Sequence, residues 1–205
     1  MMRQPDASPN ATTPAPDRAT RLSTGDLALV ASFAALIAAC SLMPAIPSGG
    51  AVPITLQTFA VLLTGAVLGA KRAFLATSLY LAVGAAGLPV FSGGAGGLGV
   101  FAGPSVGYLF GFVLAATLCG FIVERLPRKS LAGSVPTVFV AGLASSAVFI
   151  HTLGILGMMT VLDLSLGAAA SADAVFWIGD VVKNIAMAFV ATAVHRAFPD
   201  LLTTR

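Results

Sequence analysis

Apolar runs fall at about 27–46, 53–70, 73–88, 104–123, 135–157 and 174–194, and the segments between them carry most of the charged positions. A straight membrane span needs about 20 apolar residues, with a range of roughly 17–25. Runs one, four, five and six reach that length unaided. Runs two and three are shorter and only Lys71 and Arg72 divide them, so the pattern predicts a helical hairpin whose far ends enter irregular segments. The expected architecture is an all-α integral membrane domain of six transmembrane helices over residues 23–198. A Pro-, Ala- and Thr-rich cytoplasmic tail, expected to be disordered, precedes it (1–22), and a short cytoplasmic tail follows (199–205). No secretory signal is expected, because no short apolar core with a small-residue cleavage site follows the first basic residues.

Composition supports that class. Hydrophobic residues make up 57% of the chain and charged residues 9%, against about 25% charged in soluble domains; the mean hydropathy is +0.95. The net charge of +3 is then a topology signal, and no nucleic-acid partner is expected. Of the eleven Lys and Arg, ten are Arg3, Arg18, Arg21, Lys71, Arg72, Arg125, Arg128, Lys129, Arg196 and Arg205. The connections near 44–55, 88–103 and 158–173 contain none. Six alternating spans place all ten on one face, which the positive-inside rule makes cytoplasmic. The expectation is N-in and C-in, in the cytoplasmic (inner) membrane. Cys40 and Cys119 lie in apolar runs and read as small buried helix residues rather than a disulfide or metal site.

Two of the outer connections, PAIPSGGAVPIT (44–55) and LPVFSGGAGGLGVFAG (88–103), are uncharged and rich in Gly and Pro. Irregular backbone at membrane depth is tolerated where it packs in protein or lines a cavity, and glycine lets backbone approach a ligand closely. They are read either as lids over an outer pocket or as ordinary tight Gly/Pro connections. Small residues recur every four positions at Gly103, Gly107, Gly111, Ala115 and Cys119, at Gly65 and Gly69, and at Ala31, Ala35 and Ala39. Such rows let helices pack closely. The row on span one, with Ala34 and Ala38 beside it, is the candidate surface for another subunit.

Lys183 is the eleventh basic residue, and it lies inside span six. At 100° per residue Asp180, Lys183 and Asn184 share one face, with Trp177 one turn away. If the span enters near Ala174, Asp180 lies roughly 9 Å deep and Lys183 roughly 14 Å, near the midplane. A charge there costs roughly 2.5–3.5 kcal/mol even on the mildest scale. The pair either steadies the bundle as an i,i+3 ion pair or holds a solute offering both N–H and oxygen groups, and a buried pair is weak evidence for stability. Gln57 and Thr55 reach the same cavity or serve as a satisfied amide and a cap. Ser92 and Tyr108 are candidate rim contacts. Phe91 and Trp177 would cover an apolar ring, or anchor at the interface. His151 reads as a buried, hydrogen-bonded side chain, and Asp163 and Asp173 as residues of a solvated outer loop. Walker A, HExxH, GxSxG and CxxC patterns are missing, so neither an enzyme nor ATP hydrolysis by this chain is expected.

Three segments together, VPITLQTFAVLLTGAVLG (52–69), GLPVFSGGAGGLGVFAGPSVGYLFGF (87–112) and the span-six pair, resemble the BioY family, the biotin-specific S-components of energy-coupling-factor (ECF) transporters. The resemblance covers about 50 through 190. It implies the S-component fold with an outward-facing lidded pocket, biotin as transported substrate and no cofactor. Implied partners are a transmembrane coupling subunit, two ABC-type ATPases and membrane lipid, or further copies of the chain where it acts alone. The family's acidic and basic pair falls on Asp180 and Lys183, and its subunit-contact face on Ala31, Ala35 and Ala39. Some relatives carry a second basic residue and an Asn near 87–112. This chain has no Lys or Arg there, and Ser92 stands where the amide would. Biotin would place a ureido N–H on Asp180, and either its ureido oxygen or its carboxylate on Lys183. The alternatives are an S-component for another vitamin, a small channel or a membrane enzyme.

Overall fold

The computed structural model describes residues 22–127, 131 and 133–202. All but Leu22 of the expected N-terminal tail, and 203–205 of the C-terminal one, lie outside them. Among the described residues there are six α-helices, counting one continuous helix with a π-helical turn as one, two short 3-10 helices (Ser92–Gly94 and Leu98–Ala102), and no strand beyond two isolated bridges. The α-helices are α1 (Thr24–Leu42), α2 (Gln57–Leu68), α3 (Ala70–Ala85), α4 (Val106–Arg125), α5 (Val135–Leu162) and α6 (Leu166–Ala197). α1, α4, α5 and α6 are long and apolar enough to cross a membrane.

Local chemistry sets the boundaries. Ser23 and Asp26 form a capping box at the start of α1: the Asp26 amide donates to Ser23 Oγ (3.1 Å) and the Ser23 amide to Asp26 Oδ2 (2.9 Å). α2 is buried on nearly every side, as a helix apolar all round must be, and it forms the centre of the bundle. It ends at Gly69, whose φ of 79° is a conformation that side chains resist. Lys71 and Arg72, expected in a connecting loop, stand in the first turn of α3 because this single glycine reverses the chain. Across the turn, Glu124 of α4 accepts from the Ala70 amide (2.9 Å), satisfying one of the donors that a helix start leaves open. Arg72 pairs with Asp26 (2.6 Å) and donates to the Leu201 carbonyl (2.9 Å), tying three segments at one end of the bundle. A Cβ on Gly69 would strike Glu124 and strain the turn. Gly69→Ala is therefore expected to lower stability by at least about 1 kcal/mol, read as a lower thermal midpoint of the purified protein by circular dichroism. An unchanged midpoint would show that the turn relaxes freely.

The small-residue row of α4 packs internally. A Cβ on Gly107 would overlap the Leu153 backbone, one on Gly111 would meet Phe149 and Ile150, and Gly65 of α2 lies against Ala116. Cys40 and Cys119 are free and buried. Ala31, Ala35 and Ala39 are exposed, with Ala34 buried beside them.

The last helix corrects one expectation. Residues 158–173 do not form a long outer loop. α5 runs to Leu162, Asp163 ends it in the left-handed region (φ 54°), and α6 already begins at Leu166 with the Ala168 amide donating to the Ser165 hydroxyl (3.3 Å). The Ala-rich stretch after Ser165 has high helix propensity and extends the helix eight residues before the expected span. Asp163 is exposed as expected, but Asp173 is 1% exposed: it sits inside α6 on the face turned to the bundle.

Candidate functional site

A cavity of about 680 Å³, its mouth included, lies at the end of the bundle opposite Arg72 and Glu124. Its walls come from the start of α2, the glycine-rich segment, the start of α4, the π-helical turn of α5 and the middle of α6. Six of the eight expected solute contacts line it: Asp180, Lys183, Ser92, Phe91, Gln57 and Tyr108; so does Thr55.

Both glycine-rich connections are folded rather than loose. Ile46 and Ile54 exchange two backbone hydrogen bonds of 2.9 Å, and the Phe91 amide donates to Ala95 (3.0 Å). Phe91 is 2% exposed, and its ring stands over Gly84, where any Cβ would collide with it. It meets Tyr80 and Phe101 edge-on at 5.4 and 5.8 Å. Gln57 Nε2 donates to Tyr80 Oη (2.7 Å), and Tyr80 Oη reaches the Val90 carbonyl (3.2 Å) and Ser41 (3.3 Å). One buried tyrosine thus fastens the lid segment to three helices.

The charged pair lies deep in this cavity. The midpoint of a helix running 166–197 falls between Val181 and Val182, so Asp180 and Lys183 flank the middle of α6. Lys183 Nζ is 2.5 Å from Asp180 Oδ1 and donates to the Thr55 carbonyl (2.9 Å) and Thr58 Oγ1 (3.0 Å). Thr58 in turn donates to Asp180 Oδ1 (2.8 Å). An ammonium has three donors, and all three have partners here. Asp180 Oδ2 faces His151 Nε2 at 3.5 Å, too far for a good hydrogen bond. That leaves Oδ2 as the open acceptor of the pair.

His151 is buried and hydrogen-bonded, as expected. Its Nδ1 lies 2.9 and 3.1 Å from the two oxygens of Asp173. Asp173 also accepts from Tyr108 Oη (2.7 Å) and Trp177 Nε1 (3.1 Å). The π-helical turn Ser146–His151 makes this possible. It spaces the buried positions Ser146 and His151 five apart, turning the imidazole toward α6; such turns recur at functional sites.

Two expected contacts lie elsewhere. The Trp177 indole stacks on His151 (4.2 Å between centroids) while its N–H bonds Asp173, so it backs the polar chain and does not line the cavity. Asn184 is 1% exposed and lies against Gly142 of α5. Lys183 and Asn184 are adjacent, hence 100° apart, and the side chains diverge to α2 and α5. Thr58, Phe112, Ile150 and Phe176 line the cavity without having been expected. The one available signal for Thr58 was its place three residues after Thr55, just inside the start of α2.

These features define a class: a multi-pass, all-helical membrane protein with a lidded internal pocket. Comparison with known proteins narrows it. The BioY family model matches residues 13–200, and the chain belongs to the BioY family. The biotin transporter BioY of Rhodobacter capsulatus is 42% identical over 192 residues, covering 88% of this chain and 98% of that one. The biotin transporter BioY of Rhizobium etli is 40% identical over 183 residues, with 88% and 98% covered. Among solved structures, the S-component for biotin from an ECF-type ABC transporter matches with a TM-score of 0.79 at 26% identity, over 86% of this chain and 95% of that one.

Proposed function

We propose that this protein is the substrate-binding S-component that captures biotin for uptake across the cytoplasmic membrane. The observation that carries the reading is the Asp180–Lys183 pair at the base of a lidded, mainly apolar pocket in a member of the BioY family. Biotin has two ureido N–H groups, a ureido oxygen, an apolar bicycle and a carboxylate. Asp180 Oδ2 accepts a ureido N–H, and Lys183 serves an oxygen of the ligand. Phe91 closes on the bicycle from the lid side, with Ser92, Gln57 and Tyr108 at its edges.

The chain crosses the membrane six times with both termini and their tails cytoplasmic. Support comes from helix alternation, which brings Lys71, Arg72, Arg125 and Arg196 to one end. α2 and α3 are short for a ~30 Å core, and the lids fill the depth beyond them. It works as a transporter subunit, with ATP hydrolysis left to two partner ATPases, and docks a transmembrane coupling subunit on the exposed Ala31, Ala35 and Ala39 row. Calorimetric titration of biotin into the detergent-solubilised protein tests the reading. Saturable one-to-one binding in the nanomolar range is the expected result. No heat from folded, ligand-free protein would overturn the biotin assignment.

A further inference from the structure

The pocket contains one carboxylate and one ammonium, and they are bonded to each other. Among the described residues Lys183 is the only Lys or Arg lining the cavity. Its three donors already meet Asp180, Thr55 and Thr58, which holds the charge at one place on the pocket wall. The open acceptor beside it is Asp180 Oδ2. A ligand carboxylate offers no donor to that oxygen and would be repelled by it, whereas a ureido N–H satisfies it. The ureido end of biotin therefore faces the pair, and its oxygen takes the one ammonium in exchange for an internal partner such as the Thr55 carbonyl. The carboxylate is at the opposite end of the molecule, across the bicycle and a four-carbon chain. The ammonium would have to abandon Asp180 to reach it. The remaining polar lining (Ser92, Ser105, Gln57, Tyr108) is neutral, and the imidazole of His151 is committed to Asp173 and turned toward Asp180.

We infer that this site recognises the ureido end of its ligand by charge and the carboxylate end without any cation, so that it accepts biotin derivatives whose carboxyl group is blocked. The inference rests on the biotin reading above and extends its substrate class to esters and amides of the side chain. The test is calorimetric titration of the full-length protein with biotin, its methyl ester, its primary amide and 2-iminobiotin. Iminobiotin replaces the ureido oxygen by a nitrogen that is protonated at neutral pH and would meet the Lys183 ammonium. The ester and amide are expected to bind within about threefold of biotin, and iminobiotin at least about a hundredfold more weakly. If biotin binds and both neutral derivatives lose tenfold or more, Lys183 or another group reads the carboxylate and the inference falls alone. Equal binding of iminobiotin and biotin also overturns it, by removing Lys183 from the ureido oxygen. No binding of biotin itself removes the substrate reading and this inference together.

Discussion

Asp180→Asn is expected to weaken biotin binding by at least about 1.5 kcal/mol, a little over tenfold, the low end for a hydrogen bond to a charged group. The amide retains one oxygen for Thr58 and Lys183 but places an N–H₂ where Oδ2 awaits a donor, so two donors face each other when the ligand arrives. The change also leaves the Lys183 ammonium, 14% exposed in its side chain, without its counter-charge. Breaking a buried pair by removing one partner typically costs 3–5 kcal/mol, because the other charge is left uncompensated. Lys183→Met strands the carboxylate in the same way and should lose affinity to a similar extent. Each variant needs two readouts: the calorimetric dissociation constant and the thermal midpoint without ligand. Loss of affinity in protein that still unfolds cooperatively places the pair on the ligand. Retained affinity in either folded variant would make it a structural ion pair, and the proposed contact would fail.

The same pair shows what a sequence reveals in a membrane protein and what it conceals. A charge inside an apolar run stands out against its surroundings, and Asp180 and Lys183 were legible for that reason, as were the apolar runs. Thr58 was hidden because threonines in apolar runs usually have an internal partner. Thr64 and Thr77 illustrate this, donating to the carbonyls of Ala60 and Ala73 four residues earlier. Thr58 stands at the second position of α2, where no helical carbonyl lies four residues behind it, so its hydroxyl is free to bridge Asp180 and Lys183. Asp173 misled in the opposite direction. A lone aspartate near the end of a charge-free, Ala- and Ser-rich stretch resembles solvated loop, and its partners Tyr108, His151 and Trp177 come from three places along the chain. The five-residue spacing at the π-helical turn, which brings His151 to Asp173, is likewise invisible to a reading built on a 3.6-residue period.

Asp173 accordingly carries the second large effect. It is a fully buried carboxylate holding two donated hydrogen bonds, from Tyr108 and Trp177, and an imidazole nitrogen against its remaining lone pairs. In Asp173→Asn one oxygen becomes an amide nitrogen, so at most one of the two donors keeps a full acceptor and His151 loses its charged partner. With hydrogen bonds to charged groups worth about 1.5–3 kcal/mol each, the expected destabilisation is about 1.5–3 kcal/mol, read as a lower thermal midpoint of ligand-free protein. A local readout accompanies the global one. Trp177 is the only tryptophan in the chain, and its indole both donates to Asp173 and stacks on His151, so its fluorescence emission should change in the folded variant before any heating. Tyr108 lines the cavity and its hydroxyl is held in place by Asp173, so biotin affinity should fall as well, though less than in Asp180→Asn, where the ligand loses its own acceptor. A variant with unchanged midpoint and unchanged emission would show that the carboxylate is not what organises this side of the pocket. An emission change with unaltered affinity would separate the Asp173 cluster from the solute site and leave it a purely structural brace between α4, α5 and α6.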